Sequence, residues 1–582
     1  MSLGMLKKLS AILDRQQKTK IAGLLVLILI GGLLETAGVS LILPVLSAIL
    51  DEEGFAANGT VRYFMDLFGF EQVRGFTYFL LAILIFMYVF KALYLVVSTY
   101  IQSRFVNNNR CRCTTNLLSQ YLHRPYEYYL YAETSTILRT IYGDMDNIFN
   151  LLLQCMNLAA ELVVSVCLGV FLLFMDFKMM AVVVGLLLGV TIFITKVVKP
   201  RLNRVGESAR GAQADLYKWI LQSVTGIKDV KVYNKESYFT GRYRISSSEY
   251  AGYQVKNNVL TNLPRLLIET VAIVGILIYI LISMAAGIDL KSLIPLISAF
   301  ALAAMRLLPS VNRVNTYMAN IAFYESALDY IYENVDTEDL RRQEEKDILG
   351  LTENIISPVT LKKEIRLSDI TFSYPNTDKK IFDRADMVIP VGKSIGVVGA
   401  SGAGKTTIVD VLLGLLQLQG GTITSDGKNI FDNYGSWLSH VGYIPQSIYM
   451  LDDSIRNNIA FGMKEEDIDD ARVWEVLEQA QMKQFVEELP DKLDSQIGER
   501  GVRISGGQRQ RLGIARALYH DPELLIFDEA TSALDTDTET AIMEAIDTLH
   551  GQKTMVIIAH RLRTIENCDM IYEVKDGKII LK

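Results

Sequence analysis

Residues Gly399-Ala-Ser401-Gly402-Ala-Gly404-Lys405-Thr406-Thr407 fit the pattern G-x-x-x-x-G-K-[ST]. They follow the apolar run Ser394–Val398 and precede the helical run Ile408–Leu416, the strand–loop–helix context that the pattern requires. Glycines let successive backbone N–H groups turn inward around phosphate oxygens, and the helix N-terminus adds partial positive charge. Lys405 is then placed to reach the β- and γ-phosphates of ATP, and the Thr406 hydroxyl to ligate Mg²⁺. Four apolar residues, Leu524–Phe527, lead into Asp528-Glu529. A carboxylate at a strand end beside the phosphate loop suits Mg²⁺ binding by Asp528, and Glu529 is placed to polarise the attacking water. His560, after the strand Met555–Ala559, is a candidate for supporting the γ-phosphate. The alternative for either residue is an ordinary polar strand end.

These groups need an α/β scaffold, and from residue 364 to 582 short β-rich runs alternate with helical patterns. The rest of the chain has another chemistry. Mean hydropathy is +0.24 while 21% of the 582 residues are charged, a combination that points to a membrane part joined to a soluble part. Six long apolar runs lie at about 21–50, 76–100, 148–175, 179–195, 263–286 and 293–308. Roughly 20 helical residues cross a ~30 Å hydrocarbon core, so each run is a candidate span. Lys and Arg concentrate before the first run and in 101–147 and 196–262, whereas 51–75, 176–178 and 287–292 hold few. This alternation puts both termini in the cytoplasm. The two basic segments are long and helical in composition, so the membrane helices are expected to continue beyond the bilayer. The expected division is 1–330 for an all-α membrane domain of six spans, 331–363 for a charged linker, and 364–582 for a P-loop nucleotide-binding domain.

Composition also excludes classes. Apolar content is too high for disorder, and 12 Pro and 5 Cys rule out collagen-like and disulfide scaffolds. A net charge of −7 speaks against a nucleic-acid partner.

Ile504-Ser505-Gly506-Gly507-Gln508 resembles the signature of ATP-binding cassette (ABC) proteins, whose commonest form begins with Leu. Other segments resemble the family in its order: Tyr374 the aromatic that stacks on adenine, Gln446 the Q-loop glutamine, Ser532-Ala-Leu-Asp535 the D-loop, and His560 the switch histidine. The resemblance implies that Ser505 and Gly507 bind the γ-phosphate held by a second cassette, and that Gln446 shares the Mg²⁺ site. One cassette per chain therefore implies a pair, most economically a homodimer. Six spans ahead of one cassette resemble an exporter half-transporter, an ATPase coupled to transport. Its coupling helices are expected near Tyr126–Tyr131 and Tyr233–Phe239, against the cassette close to Gln446; ordinary aromatic packing is the alternative.

Lys91, Arg265 and Arg306 fall within spans two, five and six. A charge there costs ~2.5–3.5 kcal/mol at a helix centre, so the three are candidates for an anion-binding cavity. Pairing with Glu35, Glu161 or Glu269, or reaching toward the cytoplasmic surface, is the alternative. Leu34–Pro44, Tyr88–Leu93, Pro264–Glu269 and Arg306–Arg313 resemble the flippase for lipid-linked oligosaccharides of bacterial protein N-glycosylation. That resemblance implies a polyprenyl-pyrophosphate glycan as cargo and the bacterial inner membrane as location. A multidrug, peptide or lipid A exporter shares every cassette motif. Segment 58–70 reads as an external amphipathic helix for a lipid tail, or as a cap on the bundle.

Overall fold

A computed structural model describes residues 3–50, 55, 59–175, 189, 192–285, 290–335, 359–375, 377, 379–498, 501–529, 543–544, 546–558 and 565–582. The chain divides into two units, Met1–Arg124 with Tyr131–Ile348, and Pro125–Leu130 with Leu349–Lys582.

The first unit is helical. A short helix α1 (Leu3–Ile12) precedes α2 (Arg15–Leu50), α3 (Gly59–Phe68) and α4 (Val73–Leu122). The one-turn helix α5 (Tyr126–Tyr129) belongs to the second unit; in the first, α6 (Thr134–Leu138) and a π-helical turn Arg139–Asp144 lead into α7 (Met145–Met175). Then come α8 (Lys199–Thr225), α9 (Ile227–Val232), α10 (Glu236–Ala285) and α11 (Leu290–Asn334). Five of the six apolar runs lie on these helices. Most of the run at 179–195 is outside the described residues. The 50-residue α4 and α10 are about 75 Å long at ~1.5 Å per residue, far more than a bilayer needs. Thus the apolar runs at 76–100 and 263–286 are each part of a longer rod.

Small residues decide where these rods touch. Leu202, Gly206, Ala209 and Ala212 recur on one buried face of α8. At Gly206 an added Cβ would lie 2.3 Å from the Phe323 carbonyl oxygen on α11, so only glycine permits that approach.

The second unit holds two sheets. An antiparallel sheet runs in the order β2-β1-β4-β5, from β1 (Glu364–Ser373), β2 (Lys380–Pro390), β4 (Gly420–Ser425) and β5 (Lys428–Asn429). The second sheet runs β10-β9-β3-β8-β7-β6, from β3 (Ser394–Gly399), β6 (Val441–Ile444), β7 (Leu524–Asp528), β8 (Thr554–Ile558), β9 (Met570–Lys575) and β10 (Lys578–Leu581). Its strands are parallel except β10. Strands β7 and β8 are buried at every position, as a sheet covered on both faces demands. Helix α12 (Lys405–Leu412) follows β3, and α13 (Gly506–Leu518) precedes β7. Fully buried Trp437 donates its indole N–H to the Leu412 carbonyl at 3.1 Å, which anchors the end of α12. The two helices lie in different cores: Ile408, Val409 and Leu412 in one, Leu512, Ile514 and Leu518 in the other.

Candidate functional site

Lys405 is set where β3 turns into α12. Gly404 has φ +106°, and a Cβ there would come within 2.7 Å of Ile381 Cγ2, so both backbone and space require glycine. The Lys405 ammonium donates to the carbonyls of Gly399 and Ala400 at 3.0 and 3.2 Å, which holds it across the mouth of the loop. Gly399, Ser401 and Gly402 form the rest of the loop. Thr406 is exposed, whereas Thr407 is buried and shares a 3.1 Å hydrogen bond with the Tyr374 hydroxyl. The sequence-predicted aromatic is therefore brought to the phosphate loop and tied to it.

Parallel pairing of β7 with β6 and β8 aligns Asp528 with Ile558 and brings Glu529 beside Gln446. Gln446 donates its side-chain amide to Glu529 Oε2 at 2.6 Å. Glu529 sits at φ +51°, a left-handed conformation that costs a side-chain-bearing residue about 1 kcal/mol. Burial, and then the Glu529 charge, push Asp528 up to about 6, with Tyr443 and Lys405 acting in the opposite direction. One carboxylate oxygen of Asp528, Oδ1, is buried without a hydrogen-bond partner. Asp528 Oδ1, the Thr406 hydroxyl and the Gln446 amide oxygen are hard oxygen donors, a set that fits Mg²⁺. When bound there, the ion would neutralise charge that develops on the β- and γ-phosphate oxygens.

Asp410, on α12, carries no motif signal in the sequence. Burial, with Asp528 as the second cause, pushes its carboxyl up to about 6. Because this value is above that of the unfolded chain, the native state bears a penalty that grows as pH rises from about 4 to 6 and is complete above 6. Asp410→Asn is expected to stabilise the nucleotide-free protein at pH 8 by about 1–2 kcal/mol, allowing for partial exposure, and to have no effect below about pH 4. Thermal unfolding of the detergent-solubilised chain across that range checks the sign.

The signature opens α13. Ser505 Oγ accepts from the Gln508 N–H at 3.2 Å, and Gln508 Oε1 accepts from the Ser505 N–H at 2.8 Å. This capping box leaves Ser505 exposed at the positive end of a 13-residue helix, with Gly506 exposed and Gly507 buried behind it. Gln508, expected among the nucleotide contacts, is committed to the cap; the S-x-x-Q spacing carried that signal. His560 and Ser532-Ala-Leu-Asp535 lie outside the described residues.

Within the second unit, Glu127 of α5 accepts from the Gln417 N–H at 2.7 Å. Burial raises the Tyr126 hydroxyl, with Asp410 and Tyr374 contributing. The described contacts of this segment are thus with Gln417 and the neighbourhood of Asp410. In the first unit, Tyr233 and Tyr238 are exposed, and Tyr238 and Phe239 pack edge-on against Trp219.

Of the membrane cations, Lys91 lies 5.4 Å from the centre of the Tyr88 ring. Arg265 is on α10 and Arg306 on α11; their side chains, and that of Glu35, lie outside the described residues. Two of the acids have described partners. Buried Glu161 on α7 receives hydrogen bonds from Ser310 and, at 2.9 Å, from Arg313, while Asn312 donates to Glu269 at 3.4 Å.

Residues 382–532 match the family described as ABC transporter, and residues 21–307 the ABC transporter transmembrane region. The chain is 28% identical to an ATP-dependent lipid A-core flippase of Photorhabdus laumondii subsp. laumondii over 557 residues, covering 94% of this chain and 90% of the relative. It is also 28% identical to one of Pectobacterium atrosepticum over 560 residues, with the same coverage. A solved bacterial Atm1-family ABC exporter with ATP bound superposes with a TM-score of 0.75 at 20% identity, over 97% of this chain and 95% of that one.

Proposed function

Because the chain belongs to the ABC transporter family as an exporter half-transporter, we propose that it flips an anionic polyprenyl-pyrophosphate oligosaccharide across the bacterial inner membrane. Its activity is ATP-driven transport, with ATP and Mg²⁺ as the family uses them. The observation that carries the substrate reading is the placement of Lys91, Arg265 and Arg306 on three helices within apolar runs, where cations are costly unless an anion meets them. Two features support a lipid with a polar head. A cavity of about 310 Å³ in the first unit is lined by Asn147, Gln213, Gln254 and Asn257 with Tyr217 and Tyr250, amides and aromatic rings suited to sugar hydroxyls and ring faces. Helix α3 buries Met65 but exposes Phe64, Leu67 and Phe68, as a helix lying against lipid does. The names of the bacterial relatives favour a second reading, a lipid A-core molecule, which is likewise anionic and sugar-bearing.

In this reading residues 1–330 form the translocation domain and 364–582 the motor, joined by 331–363, with both termini cytoplasmic. Two chains pair, so that Ser505 and Gly507 of each close on the nucleotide held by Lys405, Thr406 and Thr407 of the other, with Tyr374 against its adenine. The separate cores of α12 and α13 support this division of labour. Glu529 acts as base, His560 supports the γ-phosphate, and Gln446 links the metal site to α5.

Reconstitution into liposomes tests the reading. Neutral replacements of Lys91, Arg265 and Arg306 together are expected to leave basal ATPase within about 3-fold while lowering polyprenyl-pyrophosphate glycan flipping by tenfold or more, the loss of ~1.4 kcal/mol or more of headgroup attraction. Undiminished flipping by that variant would reject the cationic cavity, and transport of lipid A-core alone would select the second reading.

A further inference from the structure

A second cavity, of about 580 Å³, lies between α2 and α4 in the first unit. Its walls are amphipathic along their length. On α2, Lys20, Leu24 and Leu27 recur at helical spacing, and on α4 Tyr100, Arg104 and Arg112 do the same. The apolar run of α2 begins at residue 21 and that of α4 ends at residue 100, so the cations stand at the edge of the hydrocarbon and the leucines within it. By the charge asymmetry of the loops this edge is the cytoplasmic one. Tyr100 is placed as an interfacial aromatic.

The end of the cleft farther from the apolar runs is already tied together. Arg112 donates to Asp14 at 2.8 Å, and Gln17 donates to Asn109 at 2.7 Å, which ties the start of α2 to α4. The opposite holds beside the apolar runs. Lys20 and Arg104 are exposed and make no ion pair among the described residues, so with Arg112 and Asp14 the cleft keeps a net charge of +2. Two cations from two helices, above an apolar floor at headgroup depth, match a lipid phosphate with its acyl chains along Leu24 and Leu27. Basic pockets between spans on the cytoplasmic side hold anionic headgroups for this reason.

We propose that the cleft between α2 and α4 binds the phosphate headgroup of an inner-leaflet lipid through Lys20 and Arg104. It is separate from the residues assigned to transport above and rests only on the orientation of the spans. The phosphate comes either from a resident phospholipid or from a diphosphate-bearing polyprenyl lipid, and the test separates them. The full-length protein and its Lys20→Ala/Arg104→Ala variant would be reconstituted into phosphatidylcholine doped with phosphatidylglycerol or with undecaprenyl diphosphate, and retained lipid counted by native mass spectrometry. At about tenfold or less per charge, the double variant is expected to bind the anionic lipid ~10–30-fold more weakly. Lys20→Arg/Arg104→Lys restores binding, and all forms bind ATP alike. Loss confined to phosphatidylglycerol identifies a resident lipid, and loss confined to undecaprenyl diphosphate identifies cargo. Unchanged retention of both lipids, or an equal preference for phosphatidylcholine, overturns the proposal.

Discussion

Glu529→Gln is expected to lower ATP turnover by about 10²–10⁴-fold, the range that a positioned general base contributes, while leaving ATP binding intact. The amide cannot take a proton from the attacking water, yet it keeps nearly the same shape. It also keeps an oxygen to accept the 2.6 Å hydrogen bond from Gln446, so the strand end and the Q-loop residue retain their geometry. Asp528, the residue proposed for the metal, keeps its buried oxygen without a hydrogen-bond partner and is untouched. Binding is expected to survive because the groups proposed for the phosphates are elsewhere, at Lys405 and along the turn into α12. Steady-state phosphate release measured beside equilibrium binding of a fluorescent ATP analogue separates the two effects. Turnover within tenfold of the unaltered protein would remove Glu529 from the role of base. An equal loss of binding would mean that the left-handed backbone at this position had failed to form.

Such a result concerns residues that were legible in the sequence, and the reason is physical. A phosphate loop and a helix cap are local: glycine, lysine and hydroxyl spacings act within one turn, so their types and order carry the geometry. Gly404 and the Ser505–Gln508 cap are of this kind. Apolar runs are equally local, which is why five of the expected spans fall on described helices. Long-range pairings left no such trace. Glu161 and Arg313 stand 152 positions apart, and nothing in either segment announces the other. Glu127 accepting from Gln417 joins residues 290 positions apart, and only the packed unit reveals it. Asp410 lies inside an ordinary helical pattern; its proximity to Asp528 depends on how α12 packs on the sheet.

Asp144 is the case with the largest expected effect on stability. It is 1% exposed at the end of the π-helical turn before α7, and Arg210 on α8 donates to its Oδ1 at 2.8 Å. Arg139 approaches Oδ2 at 3.4 Å, and the Arg210 guanidinium lies 3.6 Å from the Tyr330 ring centre on α11. One carboxylate thus compensates two guanidinium groups that are themselves largely buried, with Tyr330 supplying part of the remainder. The compensation is incomplete, since Arg139 Nε, Asp144 Oδ2 and one Arg210 nitrogen are buried without hydrogen bonds. Removing the single negative charge leaves both cations uncompensated in a low-dielectric setting. Asp144→Asn is therefore expected to destabilise the first unit by about 3–5 kcal/mol, the cost of breaking a buried pair from one side. A thermal midpoint lower by roughly 10 °C in detergent would express it. Asp144→Leu combined with Arg210→Met replaces the closest pair by apolar groups and is expected to recover part of that loss, because a desolvated ion pair gains little over well-packed hydrophobic residues. A midpoint for Asp144→Asn within about 2 °C of the unaltered protein would mean that water reaches the cluster and screens the arginines, and the buried-charge account of how α7, α8 and α11 are held together would be wrong.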